Sequence, residues 1–261
     1  MCRFLAWIGA PRHLGDFVLD GGQSLVVQSR QALIGKTPLN ADGFGLAWYA
    51  DRATPCIYKD PHPAWSDANL RQIAHHTRAS VFLAHVRAST STATSRNNCH
   101  PFGMGRWSFM HNGQVGGHLA LRQRLDAMIP PDCYVHRHGA TDSEVIFLLA
   151  AGLGLDADPI GAMERAVERV EALSREGGVR PHMRFAACWS DGTTLYAARH
   201  ASDRFAPSLF FQRHPHGFVV SSEPLDGHPS DWTEVAPGTA IAIRPDTIAR
   251  RSFRPAPEAV I

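Results

Sequence analysis

The sequence predicts an α+β protein in which layers of sheet are covered by helices. Strand-like segments occupy the first and last thirds of the 261 residues, whereas the clearest helical patterns lie in the middle. A strict alternation of strands and helices, which would predict a doubly wound parallel sheet, does not occur. The order of segments therefore favours a layered α+β arrangement.

Short apolar runs mark the predicted strands. Runs of this kind are typical of strands that are covered on both faces, and they occur at residues 3–9, 45–49, 81–86, 218–222 and 239–243. Two further runs, 184–189 and 194–198, flank the segment Ser-Asp-Gly-Thr at 190–193. An Asp-Gly pair between apolar runs predicts a β-hairpin.

Helices are predicted at three places. Residues 162–173 carry an apolar stripe at helical spacing, and Gly177 follows as a stop signal. Thr141 and Glu144 have the spacing of a capping box, which predicts a helix through residue 151. The third helix covers residues 118–128 and ends before Pro130. Without repeats or a linker, residues 1–261 are expected to form a single domain.

The composition excludes several classes of protein. Hydrophobic residues make up 44% and charged residues 19% of the chain, as in soluble globular proteins. A net charge of +2 without a strong basic patch argues against a nucleic-acid partner. No apolar segment predicts a signal peptide or a membrane span. Five irregularly spaced cysteines suit a reducing compartment, so a cytoplasmic location is expected.

Cys2 lies directly before the first predicted strand, and its position permits two interpretations. Cysteine is commonly buried as a small hydrophobic residue, which requires no function. If Met1 is removed, however, the thiol and a free α-amino group share one carbon atom. That pair would combine a nucleophile with its own base.

Three other stretches carry groups that such a nucleophile would need, and each has a structural alternative. Asn112-Gly113 could supply amide donors to an oxyanion, although Asn-Gly is also typical of a hairpin turn. Arg87, at the end of a strand, could clamp a carboxylate or could be a surface or ion-pair residue. Asp142 could bind an ammonium group or act as a first-turn helix residue.

The remaining cysteines are assigned no catalytic or metal site. Cys133 is followed by two histidines at ligand-like spacing, but a matched second pair is missing, so neither a metal nor a cofactor is predicted. Cys56 and Cys188 lie in apolar runs and are expected in the core. The use of Cys99 as the nucleophile of an internal Cys-His protease stays open, although nothing marks this residue as activated.

Six short motifs occur in an order that resembles one enzyme family. They are Cys2-Arg-Phe, Gly43-Phe-Gly, His85-Val-Arg-Ala-Ser-Thr90, Asn98-Cys-His-Pro-Phe102, Phe109-Met-His-Asn-Gly113 and Thr141-Asp-Ser-Glu144. The chain resembles the class II glutamine amidotransferases, and in particular the stand-alone branch that includes the γ-glutamyl hydrolases of ergothioneine biosynthesis. A later motif, residues 221–225, also resembles this branch.

The resemblance implies a fold, a reaction and a site. The fold is that of an N-terminal-nucleophile hydrolase, an αββα sandwich of two antiparallel sheets between helical layers. The reaction is hydrolysis of the γ-amide of glutamine or of a γ-glutamyl compound, through a thioester on Cys2. The implied site residues are Asn112 and Gly113 for the oxyanion, and Arg87, Asp142, Thr90 and His111 for the substrate. The position of Cys99 beside His100 and Pro101 in the resembled motif implies a pocket wall. The alternative is an ammonia-delivering or regulatory subunit of a separate synthase.

Overall fold

The computed structural model describes residues 2–34, 37–89, 92–226 and 228–255. The strands are β1 (Arg3–His13), β2 (Phe44–Trp48), β3 (Cys56–Asp60), β4 (Arg78–Val86), β5 (Phe102–Met104), β6 (Trp107–Val115), β7 (Met183–Ser190), β8 (Leu195–Ala201), β9 (Phe210–His214), β10 (Gly217–Ser221), β11 (Thr233–Glu234), β12 (Thr239–Arg244) and β13 (Thr247–Ser252). The helices are α1 (Gly15–Val18), α2 (Leu25–Arg30), α3 (Ala68–His76), α4 (His118–Asp126), α5 (Pro131–Tyr134), α6 (Asp142–Gly152) and α7 (Pro159–Glu176).

The strands form two antiparallel sheets. The first sheet has seven strands in the order β11-β9-β10-β1-β4-β2-β3, and the second has six in the order β13-β12-β8-β7-β6-β5. Cys2 lies directly before β1, and Asn112 and Gly113 lie on β6. Both strands are inside their sheets, and each pairs with a neighbour on both sides. An internal strand is hydrogen-bonded to a neighbour along both of its edges, so the backbones of β1 and β6 are well fixed.

Apolar side chains divide the molecule into four layers. One cluster lies between the two sheets and includes Phe4, Leu83, Met110 and Cys188. A second cluster joins the outer face of the first sheet to α1, α2 and α3. The third joins the outer face of the second sheet to α4, α5, α6 and α7. The predicted α+β class and the αββα layering are therefore confirmed.

β1 shows why the opening run of the sequence is almost continuously apolar. Phe4 packs between the sheets, while its neighbour Leu5 packs against the helices on the outer face. A strand with period-two geometry that is covered on both faces needs apolar residues at every position. The apolar run at residues 4–8 is thus explained by its place inside the first sheet.

The other predicted elements are confirmed with small shifts of their ends. β7 and β8 form the hairpin around Gly192, with Ser190 paired with Leu195. The three predicted helices correspond to α4, α6 and α7, and α7 extends beyond the prediction to Pro159 and Glu176. No helix that the structure describes is long and apolar enough to cross a membrane.

Cys56 contradicts its prediction as a core residue, because its side chain is exposed. It begins β3, which pairs only with β2 among the described strands and forms an edge of the first sheet. An edge strand is covered less completely than an internal one, so an apolar run there does not ensure burial. Cys188, on the internal strand β7, is buried as predicted.

Candidate active site

The thiol of Cys2 lies where β1 begins, beside the end of β4. Arg3 pairs with Val86 across the two strands, which brings Cys2 next to Ala88. Its Sγ accepts a hydrogen bond from the Ala88 N–H at 3.3 Å and donates to the Ala88 carbonyl at 3.5 Å. Burial raises the pKa of the Cys2 thiol, and the Ala88 hydrogen bond opposes this change, as does the charge of Arg87. The thiol therefore needs a base to become a thiolate at neutral pH.

Asn112 and Gly113 lie within the regular strand β6, so the hairpin-turn interpretation is wrong. Asn112 pairs with Ala186 and Gly113 with Phe185 on β7. The Asn112 Nδ2 donates to the Cys2 carbonyl at 2.7 Å, across the space between the sheets. A Cβ on residue 113 would lie 1.9 Å from the Arg184 carbonyl oxygen, so only glycine fits there. Both residues are thus brought to the carbonyl side of Cys2.

Arg87 is neither a surface residue nor a partner in an ion pair, which contradicts its structural interpretation. Its side chain is only 3% exposed, and no carboxylate of the described residues lies within ion-pair distance. Neutral oxygens bind the guanidinium: the Asp42 carbonyl at 3.2 Å, the Ser89 hydroxyl at 3.0 Å and the Thr92 hydroxyl at 2.7 Å. These contacts orient the charge without neutralising it. A buried guanidinium of this kind is suited to bind an anionic ligand.

Asp142 is the first residue of α6, as predicted. One carboxylate oxygen accepts the Val115 N–H at 2.9 Å, and the other accepts the Ser143 N–H at 2.8 Å. The carboxylate thereby links the end of β6 to the start of α6. Each oxygen has further lone pairs, so Asp142 can still accept hydrogen bonds from a cationic group in front of it.

The predicted capping box at this helix is half formed. The Thr141 hydroxyl accepts the Glu144 N–H at 3.2 Å, as in a capping box. Glu144 does not return the bond to Thr141; its carboxylate accepts the N–H of Gly139 at 2.8 Å and pairs with Arg137 at 2.6 Å. Arg137 is only 4% exposed, so its buried charge requires the Glu144 carboxylate as a partner. That carboxylate therefore does not cap the helix.

The ring of His111 is held on both sides. Its Nε2 lies 3.3 Å from the Arg184 carbonyl, which can only accept, and its Nδ1 lies 2.9 Å from the Ser143 hydroxyl. The tautomer with the proton on Nε2 satisfies both contacts. Burial lowers the pKa of His111, and the nearby Asp142 carboxylate opposes this change. His111 is therefore neutral and firmly oriented.

A narrow cavity of about 90 Å³ unites the predicted residues. Its lining includes Cys2, Arg87, His111, Gly113 and Asp142. Asn112 is buried beside it and reaches the Cys2 carbonyl. Thr90 lies outside the described residues. Wider surface clefts, such as the one along α4 and α5, contain none of these residues.

The cavity also contains residues that the sequence reasoning missed. They are Ala88, Ser89, Thr92, His100, Gln114, Val115, His118, Thr141 and Ser143. His100 belongs to the motif at residues 98–102, and Gln114 directly follows Gly113 on β6. His118 lies outside the motifs, and the turn from β6 into α4 brings it to the cavity. The local sequence around His118 therefore carries no signal of this position.

Cys99 does not line this cavity, so its prediction as a wall residue is wrong. Its Sγ lies behind the wall, 3.5 Å from the Asp60 carbonyl and 3.4 Å from the Ser95 carbonyl. Burial raises the pKa of the Cys99 thiol to about 11. Cys133 packs into the apolar cluster under α6 and α7. Among the described residues no group of three or more His, Cys, Asp or Glu side chains could hold a metal ion.

We expect mild acid to destabilise the protein through its buried histidines. Burial lowers the pKa of His85 to about 3, and it lowers the pKa values of His100 and His111 as well. In the unfolded chain these rings bind protons below about pH 6.5, so stability is present above that pH and lost as pH falls. At pH 5.5 the loss should be about 1.4 kcal/mol for His85, and the lowered pKa values of His100 and His111 act in the same direction. Urea unfolding at pH 7.5 and 5.5 measures it.

Two variants make this measurement specific. The His85→Gln variant should lose about 1.4 kcal/mol less stability between the two pH values, because one titrating group is gone. The His76→Asn variant removes an exposed histidine and should show the full loss. An unfolding free energy that is equal at both pH values would contradict the expectation.

Comparison with known proteins identifies one family. The family model of class-II glutamine amidotransferases matches residues 22–219. The chain is 31% identical to the protein named probable glutamine amidotransferase DUG3 of Saccharomyces cerevisiae, over 95% of this chain and 83% of that protein. It is 30% identical to the γ-glutamyl-hercynylcysteine sulfoxide hydrolase of Mycolicibacterium smegmatis, over 94% of this chain and 96% of that protein.

Solved structures agree with this result. A class-II glutamine aminotransferase domain protein from Silicibacter pomeroyi superimposes with a TM-score of 0.77 at 43% identity, over 97% of this chain and 99% of that one. The glutamine phosphoribosylpyrophosphate amidotransferase of B. subtilis shares the fold, with a TM-score of 0.65 at 15% identity over 97% of this chain and 49% of that one. The chain belongs to the class II glutamine amidotransferases.

Proposed function

We propose that this chain hydrolyses the γ-amide bond of glutamine or of a γ-glutamyl compound, with Cys2 as the nucleophile. The observation that carries the proposal is the composition of one cavity: a thiol, a buried guanidinium without a carboxylate partner, and a carboxylate all line it. A γ-glutamyl group carries an electrophilic carbonyl, a carboxylate and an ammonium group. Each of these has a complementary group in the cavity.

Removal of Met1 is the first step of the proposed mechanism. It frees the α-amino group of Cys2, whose ordinary pKa of about 7.7–8.0 suits proton transfer at neutral pH. That amine takes the thiol proton, which the burial of Cys2 otherwise holds in place. The sulfur then attacks the γ-carbonyl carbon, and the carbonyl oxygen becomes an oxyanion.

Asn112 and Gly113 are proposed to stabilise that oxyanion. Asn112 already donates one N–H to the Cys2 carbonyl, and its carboxamide carries a second N–H. Gly113 lines the cavity, and a Cβ there would clash with the Arg184 carbonyl oxygen; its backbone N–H is the second proposed donor. When the tetrahedral intermediate collapses, the C–N bond breaks, and the amine leaves with the proton from the Cys2 ammonium. Water then hydrolyses the thioester and regenerates the thiol.

Arg87 and Asp142 are proposed to hold the two ends of the amino-acid group. The guanidinium would bind the α-carboxylate in a bidentate manner. The Asp142 carboxylate would accept hydrogen bonds from the α-ammonium group. Thr90 and His111 are further proposed contacts; His111, whose two ring nitrogens are occupied, would act mainly as a wall. The chain would be a single glutaminase-type domain in the cytoplasm.

The alternative is a subunit that delivers ammonia to, or regulates, a separate synthase. One comparison supports this alternative. The chain matches about half of the B. subtilis amidotransferase, so that protein contains a further region, which a separate synthase chain would replace here. A delivering subunit would hydrolyse glutamine slowly until its partner is added. A free hydrolase would release amine from a γ-glutamyl amide without a partner.

The test combines intact mass with turnover. We expect natively produced protein to lack the mass of one methionine and to release amine from at least one member of a panel of γ-glutamyl amides that includes glutamine. A panel of α-glutamyl amides with the same amines is the control, and it should not be hydrolysed. Retention of Met1 in fully active protein would contradict the mechanism; absence of γ-specific turnover by processed protein would contradict the free hydrolase.

A further inference from the structure

A buried polar cluster lies between the two sheets directly beside Cys2. It consists of His85, His100 and Asn112, which are 1%, 4% and 2% exposed. The rings of His85 and His100 are stacked, with centroids 4.2 Å apart and planes inclined by 29°. None of the functions described above uses the two imidazoles. Two buried aromatic rings with polar atoms, next to a reactive centre, require an explanation.

Strand periodicity places His85 and Asn112 on the inner faces of the two sheets. His85 shares a face of β4 with Leu83, and Asn112 shares a face of β6 with Met110. Leu83 and Met110 both belong to the apolar cluster between the sheets. Two residues further along each strand, these inner faces therefore carry an imidazole and a carboxamide instead of apolar side chains. The position of His85 opposite Phe4 on β1 agrees with this arrangement.

The polar atoms of the cluster are only partly used. Asn112 uses Nδ2 for the Cys2 carbonyl, whereas its Oδ1 makes no hydrogen bond of standard geometry with the described residues. The same holds for both ring nitrogens of His85 and of His100. A buried carboxamide oxygen needs a donor, and a neutral imidazole carries one N–H.

The imidazoles are suited to this task because they are neutral. Burial and the neighbouring charge of Arg87 lower the pKa of His85 to about 3. The Asn112 side chain and the His111 backbone act in the opposite direction, as hydrogen-bond acceptors for His85 do. For His100, burial and the neighbouring His85 have the same lowering effect on the pKa. The pair can thus offer a donor without placing a positive charge beside Arg87.

We propose that His85, held in place by the stacked ring of His100, donates its N–H to Oδ1 of Asn112 and so fixes the carboxamide with its NH2 end towards Cys2. A carboxamide that rotated by half a turn would present an acceptor to the oxyanion instead of a donor. His85 is therefore a positioning residue for Asn112. The inference rests on the proposed function, in which Asn112 stabilises the oxyanion.

The kinetic test uses a double-mutant cycle with the preferred γ-glutamyl substrate. We expect His85→Leu to lower kcat by about 10- to 100-fold with less than a threefold change in KM, because the lost interaction acts in the transition state. His85→Gln offers an amide N–H in the same place and should recover most of that loss. In an Asn112→Ala background, His85→Leu should have no further effect on kcat.

Two results of this cycle would overturn the inference. One is an equal loss of kcat from His85→Leu with and without Asn112; the other is an equal loss in His85→Leu and His85→Gln. The control is His214→Leu, which removes an imidazole that packs against Trp7 and Phe17 on the other face of the first sheet. It should leave kcat within twofold of the wild type.

A second measurement does not depend on activity. In ¹⁵N-labelled protein, the two side-chain amide resonances of Asn112 are identified by their loss in Asn112→Ala. We expect His85→Leu to accelerate their hydrogen exchange at least tenfold and His85→Gln to restore their protection. Unchanged exchange in His85→Leu would overturn the inference even if the chain proved not to hydrolyse γ-glutamyl amides. Normal turnover with unprotected amides in the wild type would overturn the inference and leave the proposed function intact.

Discussion

Replacement of Cys2 by alanine is expected to lower the hydrolysis of a γ-glutamyl amide by at least about a thousandfold. The proposed thioester cannot form without the sulfur, and no other thiol of the described residues lines the cavity. The free energy of unfolding should change by less than about 1 kcal/mol, because Cys2 is only partly buried and its thiol makes weak hydrogen bonds. Activity and stability should therefore separate.

Two other cysteines provide matched controls for this variant. Cys99→Ala removes a buried thiol near the cavity, and Cys56→Ala removes an exposed one. Both variants should retain turnover within about threefold after correction for folded protein. The comparison also tests whether Cys99 is the nucleophile of an internal Cys-His protease. In that case Cys99→Ala would lose turnover and Cys2→Ala would retain it. The pKa of about 11 that burial gives the Cys99 thiol argues against that outcome.

The state of the N-terminus must be measured in each sample. Intact mass shows whether Met1 is absent from both the wild type and Cys2→Ala, so that equivalent chains are compared. Turnover by processed Cys2→Ala at more than a tenth of the wild-type rate would contradict a thioester on Cys2. Full turnover by wild-type chains that retain Met1 would leave the thiol as a candidate but remove its proposed base.

The fold could be predicted to a large extent because its signals are local. β1 is apolar at consecutive positions since Phe4 and Leu5 face different apolar clusters, and the apolar stripe of α7 follows from helical periodicity. Burial in strands at the edge of a sheet is harder to predict from the sequence. Cys56 lies in an apolar run but begins an edge strand, and the number of neighbours a strand has is a property of the whole sheet.

The motifs predicted which side chains lie together at the cavity, but not the contacts that surround each of them. The ordered motifs identified Cys2, Arg87 and Asp142, and the cavity contains all three. Spacing alone could not reveal that Arg87 lacks an acidic partner, since its partners come from residues 42, 89 and 92 around two strand ends. Asn112 was ambiguous for a similar reason, because Asn-Gly favours a turn locally while pairing with β7 keeps it extended.

Replacement of Arg87 by lysine is expected to raise KM for the γ-glutamyl substrate by about 10- to 100-fold, equivalent to about 1.4–2.7 kcal/mol. The guanidinium is oriented by the Asp42 carbonyl and the Thr92 hydroxyl, and it still has N–H groups for a carboxylate. An ammonium group has three donors and no planar fork, so it cannot keep those contacts and bind a carboxylate in a bidentate manner. The value of kcat should fall less than KM rises.

A matched arginine tests whether the effect belongs to this position. Arg96→Lys alters a side chain that is 67% exposed and pairs with Asp60 at 3.2 Å, only nine residues along the chain. Its KM should stay within twofold of the wild type, because exposed ion pairs contribute little. Thermal unfolding of both variants separates a loss of binding from a loss of folded protein.

The decisive comparison uses a substrate without the α-carboxylate. Wild-type protein should hydrolyse 4-aminobutanamide, which is glutamine without that group, with a much lower kcat/KM than glutamine. If Arg87 binds the carboxylate, the penalty for the missing group should shrink at least tenfold in Arg87→Lys, because the interaction has already been weakened. An equal penalty in both proteins would assign the carboxylate to another residue. Arg87 would then hold residues 42, 89 and 92 together, and its buried charge would require a different anion.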